Sequence, residues 1–389
     1  MRALLLLIAA MAWLGLAGTG ATQTQPDTEF GTVKPGRNED ALRTAFADVA
    51  ARHGIVTAGF ATLRNGELAL EGYVGEQSPG VPANEATLFN VASITKLISA
   101  ETFLRLVQDD RLSLDEPMAD YWIDPDIAGD PRTKRLTLRH VLTHSTGFPN
   151  WRFFRSDGKL AFESEPGSGF GYSGEGFEYA RRYAEAKLAT DFEALVDEYL
   201  FEPLGIETAS VRAEFGTERL LARPVDAEGE FYGYYCRPGG YCREAGSLNA
   251  AADLAISVGD LAKILGSVWR GDALSPELAD ERFRVLNRRQ EGAVVDCAQA
   301  APQDCPAAQG YGLGYEVLDW GEVKSFGHNG ADWAQLSVAY VYEPTGDGII
   351  ILLNAPNQRA LEAMPELIEL LDPHSVHIDK YERWARQAD

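Results

Sequence analysis

The sequence predicts a mixed α/β (α+β) fold: an antiparallel sheet built from both ends of the chain and flanked by helices, with a mostly helical lobe inserted. Three observations predict it. Runs with strand character lie towards both ends, at 56–63, 68–74, 311–317, 323–328, 336–342 and 348–353. Segments between them carry apolar residues at helical spacing, as at Ile94, Leu97, Ile98, Leu104 and Val107. The chain is also too long for one small core, so its elements are expected to divide into two lobes.

From the N-terminus, Arg2 precedes an apolar run closed by small residues at Thr19-Gly20-Ala21, which reads as a cleaved signal peptide over 1–21. The run is short for a bilayer, which needs about 20 residues. Thr19 follows Leu16-Ala17-Gly18 where a lipid-modified terminus would need cysteine. Cleavage leaves 368 of the 389 residues, and losing Arg2 takes the net charge from −23 to −24. Such acidity excludes nucleic acid and anionic membrane surfaces as natural partners. Residues 22–37 read as an extension, 38–372 as the folded domain and 373–389 as a C-terminal tail. Within the domain, the α/β lobe takes about 38–110 and 246–372, and the helical lobe about 111–245.

Residues 38–52 read as a capped helix with Leu42, Phe46 and Val49 on one face. Asn65-Gly66 between the first two strands is a strong hairpin signal. Residues 136–147 read as a capped helix ended by a glycine turn. Its His140 and His144 stand at i and i+4, but no glutamate flanks His140 and no third ligand is in view, so packing and hydrogen bonding are favoured over a metal site. Residues 179–188 and 192–200 read as amphipathic helices, and 356–371 as a helix after the last strand. That strand is continuously apolar, as at the centre of a sheet. The four cysteines fit an oxidising compartment, periplasmic or extracellular. Pairing Cys236 with Cys242 and Cys297 with Cys305 is the simplest of three connectivities, and no histidine lies near either pair to suggest a metal. The aromatic stretch 231–241 reads equally as a pocket roof or a stapled surface loop.

Chemistry concentrates at Ser93-Ile94-Thr95-Lys96. Residues three apart on a helix are neighbours, so Lys96 can reach the Ser93 hydroxyl. Serine is a weak nucleophile until a base takes its proton, and a desolvated lysine can be that base. The spacing recurs at Ser156-Asp157-Gly158-Lys159, where Asp-Gly reads as a turn that leaves the pair unaligned. Tyr172 lies in a glycine-rich loop, where a tyrosine can hydrogen-bond a nucleophile and protonate a leaving group. His328-Asn329-Gly330-Ala331 ends a strand, and a glycine there lets another backbone approach closely.

Ser93-Ile94-Thr95-Lys96, Tyr172-Ser173-Gly174 and His328-Asn329-Gly330 stand in the order of the serine β-lactamase and penicillin-binding protein superfamily. The chain resembles its class C β-lactamase-like branch, which includes carboxypeptidases, D-aminopeptidases, esterases and β-lactamases. Leu138-Arg139-His140-Val141-Leu142-Thr143-His144, Phe201-Glu202-Pro203-Leu204-Gly205 and Tyr311-Gly312-Leu313-Gly314-Tyr315 extend the resemblance over nearly all of the mature chain. It implies a β-lactamase/transpeptidase-like fold with Ser93 as nucleophile, Lys96 as base partner and Tyr172 as proton shuttle. His328, Asn329 and Gly330 would form the third motif, and the backbone amides of Ser93 and Ala331 the oxyanion hole. Gly174 stands where the middle motif usually has asparagine, and His328 where the third often has lysine. The implied function is a secreted serine hydrolase of peptidase or esterase type, without cofactor or metal and with no protein partner inferred. A class C-like β-lactamase and a non-catalytic cell-wall peptide-binding protein are the alternatives.

Overall fold

The computed structural model describes residues 39–212, 220–233, 236, 242–290 and 292–388. The expected leader, the extension and most of the 231–241 loop lie outside the described residues. In chain order the elements are α1 (Glu39–Arg52), β1 (Thr57–Arg64), β2 (Glu67–Ser78), β3 (Val81–Pro82), β4 (Phe89–Asn90) and α2 (Thr95–Gln108). Then come α3 (Leu138–Leu142), α4 (Gly174–Leu188), α5 (Phe192–Val196), β5 (Ala255–Ile256), α6 (Val258–Arg270), α7 (Pro276–Arg282) and β6 (Asn287–Arg288). The chain closes with β7 (Ala308–Tyr311), β8 (Glu316–Asp319), β9 (Lys324–Ala331), β10 (Gln335–Glu343), β11 (Gly348–Asn354), α8 (Asn357–Leu371) and α9 (His377–Ala388).

The main sheet runs β3-β2-β1-β11-β10-β9-β8-β7-β6. Its seam is the antiparallel pairing of β1 with β11, from Thr57 opposite Asn354 to Leu63 opposite Gly348. The two ends of the chain therefore build one sheet, as the strand pattern predicts. β11 is buried along its whole length because both faces of the sheet are covered. Side chains alternate across a strand: Ile349, Ile351 and Leu353 pack with α1 and α8 on one face, while Ile350 and Leu352 pack with α2 and α6 on the other. Each fully buried aliphatic side chain is worth about 1.5–3 kcal/mol of transfer free energy.

Several boundaries differ from the sequence reading. The run 311–317 is two strands, because Gly314 (φ +91°) bends the chain against α2, where a Cβ would come within 2.1 Å of Ala100 Cβ. The helix expected over 136–147 stops at Leu142, and His144 takes a left-handed conformation (φ +51°). Conversely, Gly174–Phe177 is helical, because Ser173 caps α4 by accepting from the Gly176 amide at 3.0 Å. The expected C-terminal tail contains α9.

Helix α2 is buried on every side from Thr95 to Leu106, so its polar residues need partners inside the protein. Glu101 accepts from Arg282 (2.8 Å), Tyr315 (2.9 Å) and Arg105 (3.3 Å). Arg105 also donates to Tyr199 O and Ser267 Oγ. Removing one member of a buried ion pair strands the other, at about 3–5 kcal/mol. Glu101→Ala is accordingly expected to lower unfolding free energy by about that amount, read as a fall in the urea midpoint. A loss below about 1 kcal/mol would mean that Arg282 finds other partners.

Candidate active site

Ser93 sits in a single 3₁₀ turn, Ala92–Ile94, that feeds into α2. Ala92 is held at φ +47°, a conformation that costs energy for a residue with a Cβ. Its amide donates to Asn90 Oδ1 at 3.0 Å and its carbonyl accepts from Thr95 Oγ1 at 2.6 Å. The turn is thus pinned from both sides, with Ser93 half-buried.

Lys96 Nζ lies 3.0 Å from Ser93 Oγ and donates to Ala251 O, also at 3.0 Å. Its side chain is fully buried, and burial pulls its pKa down to about 7, partly offset by the Glu178 carboxylate. The Tyr172 ring centroid is 4.9 Å from Lys96 Nζ, which places its phenol beside the Ser93–Lys96 pair. Burial raises the Tyr172 phenol above its usual range, with the nearby Ser93 hydroxyl acting in the opposite direction, so it remains protonated at neutral pH. The structure therefore brings Ser93, Lys96 and Tyr172 together. Ser156, by contrast, is exposed, in a turn where Asp157 accepts from the Lys159 amide.

His328 is buried on β9, its ring centroid 6.2 Å from that of Tyr172. Its Nδ1 lies 2.5 Å from Asn329 O and its Nε2 3.4 Å from the Tyr311 hydroxyl. Burial, then the Lys96 charge, pushes its pKa down to about 3, so it is neutral in the physiological range. Gly330 abuts the serine turn: a Cβ there would come within 2.1 Å of Val91 O and 2.9 Å of the Ser93 amide nitrogen. That close approach sets the end of β9, and with it Ala331, beside Ser93. Both cysteine pairs lie at bonding distance, with Cα separations of 4.1 Å for Cys236–Cys242 and 5.3 Å for Cys297–Cys305. His140 Nδ1 accepts from the Thr137 amide, capping α3.

Sequence reasoning missed several residues of the site. Asn329 Oδ1 accepts from Lys380 of α9 at 2.8 Å, and Lys380 also donates to Glu316 Oε2 at 2.8 Å. Glu316 in turn pairs with Arg289 at 3.0 Å. Burial of Glu316 opposes ionisation, yet Lys380 and Arg289 outweigh it and hold the carboxyl near 2. A glutamate inside an apolar strand was the available signal for this network. His144 accepts from the Ser173 amide at 3.1 Å and its ring packs at a 32° tilt against Tyr172, 4.3 Å between centroids, fixing the tyrosine loop.

The arrangement can activate a hydroxyl: an amine lies within hydrogen-bond reach of Ser93 Oγ, and a protonated phenol stands beside the pair. The Beta-lactamase family model matches residues 42–372. Penicillin-binding protein 4 of Amycolatopsis lactamdurans is 23% identical over 335 residues, covering 81% of this chain and 82% of that protein. Esterase EstB of Burkholderia gladioli is 34% identical over 115 residues, only 28% of this chain and 29% of that protein. Among solved structures, D-amino acid amidase from Ochrobactrum anthropi with D-phenylalanine superposes with a TM-score of 0.63 at 22% identity, covering 85% of this chain and 98% of that one.

Proposed function

The chain belongs to the Beta-lactamase family, and from that premise we propose that it is a serine hydrolase that cleaves an ester or amide bond through an acyl-enzyme on Ser93. The observation that carries the reading is the 3.0 Å contact between Ser93 Oγ and a fully buried Lys96 whose pKa falls to about 7. Ser93 Oγ attacks the substrate carbonyl carbon while its proton passes to neutral Lys96. The oxyanion is held by the Ser93 and Ala331 amides, a kind of contact worth about 3–4 kcal/mol per donor. As the intermediate collapses, Tyr172 protonates the leaving group and recovers a proton from Lys96. Water then attacks the acyl carbonyl by the same route, and Ser93 leaves reprotonated. The leader-like N-terminus and the two paired cysteine loops support a periplasmic or secreted location.

The esterase relative supports an ester substrate. A panel of short p-nitrophenyl esters, D-amino-acid amides, D-Ala-D-Ala peptides and a cephalosporin tests the reading. Folded wild type is expected to turn over at least one ester or amide, with the cephalosporin slowest, and Ser93→Ala none. Tight peptide binding with no turnover would favour a non-catalytic cell-wall peptide-binding protein.

Substrate charge follows from the third motif. His328 is neutral, and the neighbouring cations Arg289 and Lys380 are both ion-paired to Glu316. Uncharged esters or amides are therefore expected to outperform carboxylate-bearing analogues at pH 8. His328→Lys places an ammonium at that position and should shift kcat/KM towards the anion by about tenfold. A wild type that already prefers the free acid, with a ratio unmoved by His328→Lys, would remove His328 from the control of charge.

A further inference from the structure

The turn Trp151-Arg152-Phe153-Phe154 takes no part in the chemistry above, yet it stands at the reacting pair. The Trp151 ring lies over Gly174, where a Cβ would come within 2.4 Å of ring carbons. It thus fills the space beside the middle-motif position that asparagine usually occupies. Lys96 Nζ is 5.8 Å from the Trp151 ring centroid. Phe153 stacks on Trp151 at 5.6 Å and 14°, and Phe154 meets Phe153 edge-on at 4.7 Å. An unbroken aromatic surface therefore runs from the catalytic lysine to solvent.

Phe153 and Phe154 are 62% and 74% exposed, more than any other large hydrophobic side chain among the described residues. Leaving two phenyl rings in water forgoes burial free energy, and the turn is not free to fold inward. The Arg152 amide and Nε donate to Glu175 at 2.8 and 2.9 Å, and its Nη2 donates to Asp124 at 2.8 Å. The Gly174 and Glu175 amides both donate to Asn150 O at 3.0 Å. The rings are thus fixed to the start of α4, immediately after Tyr172.

We infer that Trp151, Phe153 and Phe154 form a subsite that receives an uncharged aromatic or bulky apolar group carried next to the substrate's scissile carbonyl. The inference rests on the acyl-enzyme reading for Ser93. Two exposed phenyl rings present at most a few hundred Å², well short of the roughly 800 Å² that each partner contributes to a stable protein interface. The size suits one substituent of a small molecule. The surface is also continuous with Lys96, where a substrate must lie.

The test compares two phosphonofluoridates that share a leaving group, one carrying methyl on phosphorus and one phenylethyl. Labelling forms the Ser93 Oγ–P bond and breaks P–F; fluoride leaves and the serine proton passes to Lys96. Second-order labelling rates are measured by mass spectrometry on wild type, Phe154→Ser and Phe153→Ser/Phe154→Ser, with unfolding midpoints confirming the fold. Wild type is expected to favour the phenylethyl probe by about tenfold, and the double variant to lose that preference. Labelling of Ser93 at equal rates by both probes, or a preference unchanged in the double variant, overturns the subsite and leaves the acyl-enzyme reading standing. No labelling of Ser93 by either probe overturns both.

Discussion

Ser93→Ala is expected to lower kcat/KM by about 10⁴-fold or more on whichever ester or amide the wild type cleaves best, the scale seen when the nucleophile of a serine hydrolase is removed. The size follows from the mechanism: without Oγ there is no covalent route, and Lys96 and Tyr172 face no hydroxyl. The fold should survive. Ser93 is only half-buried, and the turn is pinned by Asn90, Ala92 and Thr95 contacts that do not involve its side chain. Lys96 keeps its bond to Ala251 O. Steady-state kinetics beside a thermal melt decide it. Residual activity within tenfold of wild type in a folded variant would place the nucleophile elsewhere.

Lys96→Met is expected to lower kcat by about 10²–10⁴-fold, the reach of a general base, and to change the pH profile. Below about pH 7 Lys96 binds a proton and cannot take one from Ser93, so kcat/KM of wild type should rise with pH through that value. Asp253 is also pushed up to about 7, first by burial, so Asp253→Asn must leave this limb in place if Lys96 is its source. His144 and His328 remain neutral throughout the range and contribute no step. Stability has the same sign of pH dependence as activity. The folded pKa lies below the ordinary 10.5, so between about pH 7 and 10.5 the unfolded chain binds more protons, and stability rises with pH. The cost of burying Lys96 is fully present below pH 7. Lys96→Met should therefore stabilise the protein at pH 6, by about 2–5 kcal/mol, and gain little at pH 10.5. A nearly inactive variant with a higher melting temperature at low pH would mark a lysine kept for chemistry. Full activity in Lys96→Met would leave Ser93 without its proposed base.

The sequence exposes those parts of the molecule whose partners are close in the chain or whose pattern is periodic. Ser93 and Lys96 meet across one helical turn, so their contact is legible from spacing alone. The continuously apolar 348–353 run marks the sheet centre. Contacts across long separations leave no such trace. Lys380 reaches Asn329 from a helix that the sequence presents as a tail, and Arg289 meets Glu316 across the intervening strand β7. Gly174 is visible as a departure from the family motif, but the ring that occupies the space beside it comes from Trp151, far upstream. Two of the boundary errors share one origin: residues 311–317 and 136–147 keep their apolar pattern through positions where tertiary contacts turn the backbone, at Gly314 against Ala100 and at His144 against Tyr172.

Whether Ser93 carries the acyl group is decided by the site of a covalent adduct. The protein is treated with a fluorophosphonate, digested, and the modified peptide sequenced by mass spectrometry. The predicted adduct is on Ser93, with stoichiometry tracking the loss of turnover, and it is absent from Ser93→Ala. An adduct on Ser156 accompanying inactivation, or an active protein that the probe neither labels nor inhibits, would contradict the assignment.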